Sequence, residues 1–376
     1  MDDNLPKLVE KLDNQKLNKK YTDSKQLIDH VEAFIKRKGL ILYGGFAINL
    51  LMPKKQKFYK EFTVNDLDCY STNAKQDAIE IANDISQHNY KYVKVRKALH
   101  ENTYRVFVNF LQVLDITQIS KGTFEDLQKV AEYEKNNTKV YTHYKDSFVL
   151  APVTYLKANM HFELSRPLNS YHRWEKIYDR MNILTKLFDF KSTKIEEHIP
   201  VSKTFKDILQ YVKKNNLVIV GMNALKYYGV IQEYNMNLEI LSTDPNATKD
   251  AIVKLLKNTT VKQKKHIFIT SDSINIQIIS TKDECYSYLK SNGYMIGSYD
   301  TVLYFMYNDY MQCIADNKLE NAQIIYQYIS TLEEHIQHEL NNEPLKRLNT
   351  DCFGKYTSLK DILAKKWKKK QTLVYY

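Results

Sequence analysis

The chain has 376 residues, enough for two or three ordinary domains, and its 43% hydrophobic and 26% charged residues describe a globular protein and exclude a disordered one. A formal net charge of +11, with lysines spread along the chain and 29 tyrosines among them, suits a polyanionic partner whose bases could stack on aromatic rings. The N-terminus MDDNLPKLVEKLDNQK lacks a signal-peptide core, and no apolar run nears the roughly 20 residues that cross a bilayer, so a soluble intracellular protein is expected.

In chain order, Leu27, Ile28, Val31, Phe34 and Ile35 recur at helical spacing, and Gly39 ends that helix. LILY then reads as a short buried strand, Gly44-Gly45 as a turn, and FAINLLM as a helix that Pro53 stops. The basic loop KKQKFYK leads to a strand around DLDCYS, a helix over 77–87, and one or two strands within 106–120, where Val113, Asp115, Thr117 and Ile119 share a face. From Val153 to Phe190 the pattern is helical, with Trp174, Ile177, Tyr178, Met181, Leu184 and Phe188 in one stripe that begins near Asn169 or Ser170.

The second half repeats the first. SKQLIDHVEAFIKRKGLILYGGFAINLLM (24–52) aligns with SKTFKDILQYVKKNNLVIVGMNALKYYG (202–229), DLDCYS (66–71) with NLEILS (237–242), and VLDITQIS (113–120) with SINIQIIS (273–280). Three matches in the same order indicate a duplicated fold. In the second copy Gly221 takes the place of Gly44 and Met222 that of Gly45. Asn237, Glu239 and Asn275 stand for Asp66, Asp68 and Asp115. One carboxylate of three cannot hold two metals, so this copy is expected to be inactive.

The first copy carries chemistry. Gly44-Gly45, between a strand and a helix, offers backbone N–H groups to an anion and lets a phosphate approach closely. Asp66 and Asp68 project from one strand face, with Leu67 between them turned to the core; such a pair calls for a cation, although acids at a strand end are also common in solvent. Asp115, flanked by apolar residues in FLQVLDITQI, needs a partner or a metal. Together the three carboxylates suit two magnesium ions that stabilise attacking and leaving oxygens in nucleotidyl transfer.

Gly-Gly, Asp-x-Asp and a distant strand Asp resemble the DNA polymerase β-like nucleotidyltransferase superfamily. The wording YGGFAINLL, NDLDCYS, VLDITQIS, LAPVTYLKANMHFELSRP and SYHRWEKIYDR resembles the poly(A) polymerase catalytic subunit of giant DNA viruses, of the mimivirus and asfarvirus type. The resemblance implies an α/β (α+β) chain of two tandem nucleotidyltransferase-like domains, each a small mixed sheet flanked by helices, the second degenerate. The expected bounds are 1–152 for the catalytic domain, 153–195 for linking helices, 196–340 for the degenerate domain and 341–376 for a basic C-terminal segment. It further implies a template-independent enzyme that adds AMP from ATP to RNA 3′ ends, with two Mg2+ (or Mn2+) ions, ATP as substrate, an RNA partner, a homodimer, and the host cytoplasm and virion as locations.

Carried onto this chain, the family pattern makes Asp66, Asp68 and Asp115 the metal ligands, with Asp115 also assisting deprotonation of the primer hydroxyl. Gly44 and Gly45 match the phosphate turn. Many relatives have serine where Gly45 stands, so a γ-phosphate contact falls to backbone N–H groups or Asn49. Lys157 is a candidate for the nucleotide, and Arg166, Arg173, Lys176 and Arg180 for RNA, against the alternative of a solvated helix face. The tail AKKWKKK (364–370) could add phosphate contacts or merely solubilise. His335 and His338 read as a surface pair. Cys69, Cys285, Cys313 and Cys352 show no close pair or metal spacing and read as free thiols. Two rival readings remain: a nucleotidyltransferase of other specificity (CCA addition, cyclic nucleotides, small acceptors) and a non-catalytic RNA-binding or processivity subunit.

Overall fold

The computed structural model describes residues 25–59, 67–98, 100–137, 144–145, 147–167, 173–188, 202–339, 351–357, 361, 364 and 373–375. It divides into two compact units, Met1–Pro152 with Leu363–Tyr376, and Val153–Ile362.

In the first unit, helix α1 (25–38) buries Leu27, Val31, Phe34 and Ile35 and closes at Gly39, as the apolar spacing predicts. Strand β1 (Ile41–Tyr43) runs directly into α2 (Gly44–Leu51). After β2 (Leu67–Ser71) come α3 (Ala74–Gln87), β3 (Lys94–Lys97), β4 (Thr103–Val108) and β5 (Leu111–Gln118). The 106–120 segment thus holds the end of one strand and the whole of the next, joined in a hairpin whose Asn109-Phe110 tip has both residues at positive φ, as a type I′ turn requires. Helix α4 (Lys121–Asn137) and strands β6 (Tyr144–Lys145) and β7 (Phe148–Leu150) complete the unit. The strands form one mixed sheet, in which β1 pairs antiparallel with β2 and parallel with β7, and β2 runs parallel to β5. A strand from the chain's end, β16 (Leu373–Tyr375), joins the sheet edge at β3.

The second unit opens with helices α5 (Val153–Leu164) and α6 (Trp174–Leu187), whose stripe buries Ile177, Met181 and Leu184. The repeated fold follows: α7 (Lys203–Lys214), β8 (Val218–Val220), a 3-10 turn at Gly221–Asn223 continued by one turn of helix, α8 (Ala224–Tyr227), then β9 (Asn237–Ser242) and α9 (Pro245–Val253). Strands β10 (Thr259–Gln263), β11 (Ile267–Ser271), β12 (Ile274–Ser280), β13 (Cys285–Ser291) and β14 (Tyr294–Gly297) lead to helices α10 (Tyr299–Ala315) and α11 (Leu319–Glu339). Helix α5 packs against α10 and α6, and α10 against α11.

The two sheets have the same strand order. The first reads β16-β3-β4-β5-β2-β1-β7-β6 and the second β10-β11-β12-β9-β8-β14-β13-β15, β15 being Cys352–Gly354. Seven strands correspond one to one, and the added eighth strand sits on opposite edges. The duplication expected from sequence is therefore a duplication of topology. The fold is the mixed α/β arrangement expected, and α4 is an insertion that the second copy lacks between β12 and β13.

Strand register corrects one alignment. Asp68 lies opposite Asp115, while Glu239 lies opposite Gln277 and Asn275 lies opposite Asn237. The counterpart of Asp115 is therefore Gln277, two residues beyond Asn275. A slip of two residues leaves the side-chain face unchanged, so alternation alone could not detect it.

The cysteines also depart from expectation. Cys69 and Cys313 are free, but Cys285 and Cys352 are paired as a disulfide, their Cα atoms 5.5 Å apart. The pairing of β13 with β15 brings together two residues that are 67 apart in the chain.

Candidate active site

The site of the first unit forms where β1, β2 and β5 lie side by side. Leu67 is fully buried and Asp68 points to the opposite face, as alternation demands. Asp68 is in register with Tyr43 on one side and Asp115 on the other. The strand end that leads into α2 thus lies beside Asp68, with Asp115 one strand further on. Asp66 lies outside the described residues.

Gly44 explains the turn. Its φ is +70°, a left-handed conformation that side chains disfavour, and a Cβ there would lie 2.6 Å from Asp68 Oδ2. Both constraints select glycine, and they hold the Asp68 carboxylate against the start of α2. The first N–H groups of that helix have no partner within it and carry the positive end of its dipole, so an anion can be received beside the carboxylates.

Asp115 is 4% exposed in an apolar strand and has the partner that such a position requires. Arg105, directly opposite on β4, forks onto it: Nε donates to Oδ1 at 2.8 Å and Nη2 to Oδ2 at 2.6 Å. Sequence reasoning named the need for a partner but missed Arg105. Counting back from the Asn109-Phe110 tip would pair Arg105 with Leu114; a register shift between Val106 and Phe107 moves it opposite Asp115, which is why the sequence did not show the pair. Beside them Tyr43 hydroxyl shares a hydrogen bond with Thr117 at 2.9 Å and its ring stacks on Tyr70. Burial, then the Asp68 charge, push the Tyr43 hydroxyl well up, so it stays protonated. The Cys69 thiol is pushed up in the same way, by burial and then by Asp68.

Asp68 and Asp115, hard oxygen donors in adjacent register, fit a magnesium-class ion. Arg105 holds both oxygens of Asp115 from one side, and its own side chain is 31% exposed.

Two nucleotide-binding expectations need correction. Asn49 is buried, and its Oδ1 accepts the backbone N–H groups of Phe58 at 3.0 Å and Tyr59 at 3.1 Å, so it anchors the loop after α2. Lys157 is 2% exposed within the second unit, with Nζ 2.7 Å from the Glu333 carboxylate, which leaves no charge to offer a triphosphate. Neither burial nor partner was legible locally, because Glu333 lies 176 residues away.

Of the RNA candidates, Arg166 is mostly buried, pairs with Glu284 at 3.1 Å and lies over the Phe162 ring. Arg173, Lys176 and Arg180 cluster on and beside α6. Partial desolvation, then the charges of Arg180 and Arg173, push the Lys176 ammonium down, which marks three cations in mutual reach. Most of the basic tail, 365–370, lies outside the described residues. His338 is exposed, but His335 is half-buried with its ring edge-on to Tyr299, so only one of the two is a surface residue.

The corresponding place in the second unit keeps the turn without the chemistry. Gly221 has φ +64°, and a Cβ there would collide with the Glu239 carboxylate. Met222 is buried where Gly45 stands in the first copy, and Asn223 uses its side chain to fasten the backbone of Asn235 and Asn237. Opposite Gln277, Phe268 replaces Arg105.

Residues 29–170 match the family model of the poly(A) polymerase catalytic subunit, so the resemblance read from the sequence is borne out over that span. Among similar proteins, one named as a candidate poly(A) polymerase catalytic subunit of Acanthamoeba polyphaga mimivirus is 25% identical over 207 residues, covering 54% of this chain and 33% of that protein. A second with the same description, from African swine fever virus, is 25% identical over 247 residues, 64% of this chain and 48% of that protein. The chain therefore matches between a third and a half of these relatives' length. The Megavirus polyadenylate synthase crystal structure superposes with a TM-score of 0.74 over 99% of this chain and 84% of that one, at 19% identity, which shows a shared fold.

Proposed function

We propose that the chain is the catalytic subunit of a poly(A) polymerase, adding AMP from ATP to RNA 3′ ends without a template. The observation that carries this reading is Asp68 and Asp115 in register beside the Gly44-Gly45 helix start, within a segment that matches the poly(A) polymerase catalytic family.

Asp66, Asp68 and Asp115 would hold one or two divalent ions, which when bound stabilise charge on the attacking and leaving oxygens. The chain's own residues supply the rest. Backbone N–H groups from Gly44 onward receive the triphosphate oxygens and hold the chain of phosphates for in-line attack. Asp115 accepts the proton of the RNA 3′-hydroxyl as its oxygen bonds to the α-phosphorus and pyrophosphate leaves. Arg105 is a positioning residue that fixes the direction of the Asp115 carboxylate. Arg173, Lys176 and Arg180 would receive RNA phosphates.

In this reading the first copy, 1–152, is catalytic. The helices within 153–195 link it to a degenerate copy over 196–340 that serves RNA binding or dimerisation, and the basic segment 341–376 follows. A homodimer accords with the reading, and sedimentation would test it. The location of the protein is tested by fractionating infected cells. Among the described residues, no helix is long and apolar enough to cross a membrane.

The test is incubation with a short RNA primer, magnesium and each nucleotide in turn. ATP should extend the primer, and Asp68→Ala and Asp115→Ala should abolish extension while RNA binding persists. Equal use of all four nucleotides would instead indicate a nucleotidyltransferase of other specificity. Unchanged extension by Asp68→Ala would refute the site.

A further inference from the structure

Away from the carboxylate site, α1 and α3 bring together His30, Asp84 and His88. Among the described residues this is the one group of three metal-capable side chains, each offering a donor atom within 4.8 Å of the others. His30 Nε2 lies 3.1 Å from Asp84 Oδ2, and the two imidazole rings approach to 4.4 Å between centroids. His88 Nδ1 lies 2.8 Å from the Asp84 carbonyl oxygen, so that nitrogen carries the hydrogen and Nε2 keeps its lone pair. A ring nitrogen tied to a backbone carbonyl, with the other left as a donor, is the arrangement of histidines that bind metals.

We infer that His30, Asp84 and His88 form a transition-metal site of the zinc class that clips α1 to α3. Two imidazoles and one carboxylate select a borderline ion such as zinc over magnesium, and three protein ligands leave a fourth position for water. The ion replaces the hydrogen that His30 shares with Asp84, and the imidazole proton moves to Nδ1. Donor atoms around a tetrahedral zinc stand about 3.3 Å apart, given bonds of roughly 2.0–2.1 Å, so small side-chain rotations close the site. Its partly exposed ligands are free to make them. The opposing charge is Arg37, whose Nη2 lies 3.9 Å from Asp84 but also 3.7 Å from Glu80, which can hold it when the ion enters. The site joins residues 54 positions apart, and its effect is to cross-link the helix layer of the first unit.

Equilibrium dialysis of the chelator-stripped full chain against micromolar zinc tests this. Wild type should bind one equivalent that persists in the Asp68→Asn/Asp115→Asn double variant, which separates it from ions at the carboxylate site. His30→Ala, Asp84→Asn and His88→Gln should each weaken that equivalent by more than about tenfold. Zinc should also raise the melting temperature of wild type and not that of His88→Gln, whose exposed side chain can be changed without unfolding the protein. No bound equivalent, or one kept in His30→Ala and His88→Gln but lost in the double variant, would overturn the inference.

Discussion

Replacing Lys157 by methionine separates its two candidate roles, a nucleotide contact and a buried structural cation. Lys157 on α5 meets Glu333 on α11, whose side chain is 11% exposed and also accepts the Tyr307 hydroxyl at 2.6 Å. His161 stands nearby, its Nε2 3.9 Å from Glu333 and its Nδ1 2.8 Å from Asp300. Burial alone would push the Glu333 carboxyl up, but the Lys157 charge and then the nearby His161 hold it at about 2 against an ordinary 4.5. At 1.36 kcal/mol per pKa unit this is a stabilisation on the order of 3 kcal/mol at neutral pH. Because the folded pKa is below the unfolded one, the contribution is complete above about pH 4.5 and is lost as pH falls towards about 2. Lys157→Met leaves Glu333 buried without its cation and should destabilise the second unit by about 3–5 kcal/mol. The Lys157→Met/Glu333→Gln pair should recover much of that loss, since a neutral amide can still accept from Tyr307. Urea unfolding followed by Trp174 fluorescence, in a Trp367→Phe background, measures both. If Lys157→Met kept wild-type stability and lost ATP affinity, the assignment of Lys157 as a structural cation would be refuted.

Gly44→Ala and Gly221→Ala both force a side chain into positive φ and should each destabilise by about 1–2 kcal/mol. Only Gly44→Ala should also displace a catalytic carboxylate, so primer extension should fall by about 100-fold in it alone. Arg105→Ala strips the cation from Asp115 and should lower stability in chelator by about 1–3 kcal/mol; magnesium should restore it more than it stabilises wild type, as read by melting temperature. Glu239, with its buried Oε2 unpartnered, faces Asp309. Burial, then Asp309, push Glu239 up, while burial pushes Asp309 up to about 6. Folded pKa values above the unfolded ones mean stability present at low pH and lost as pH rises through about 6, so Glu239→Gln should flatten that decline in urea titrations at pH 5 and 8.

Much of this protein was fixed by local pattern. Apolar spacing placed α1, β1, α2 and the α6 stripe, and alternation put Leu67 inward and Asp68 outward. The apolar flanks of Asp115 announced a buried acid, and the ordered matches announced two copies. Those signals act over a few residues, where backbone period and side-chain polarity are enough. Partners across the fold were decided elsewhere. Arg105 reaches Asp115 because β4 pairs with β5 in one register, and Lys157 meets Glu333 because α5 and α11 are both held by α10. Asn49 turned from a candidate phosphate contact into a loop anchor once Phe58 and Tyr59 folded back on it. The relic of Asp115 proved to be Gln277, because a two-residue slip preserves every hydrophobic match and only hydrogen-bonded strands fix the count. Sequence set which side chains face inward; tertiary pairing set what each of them meets there.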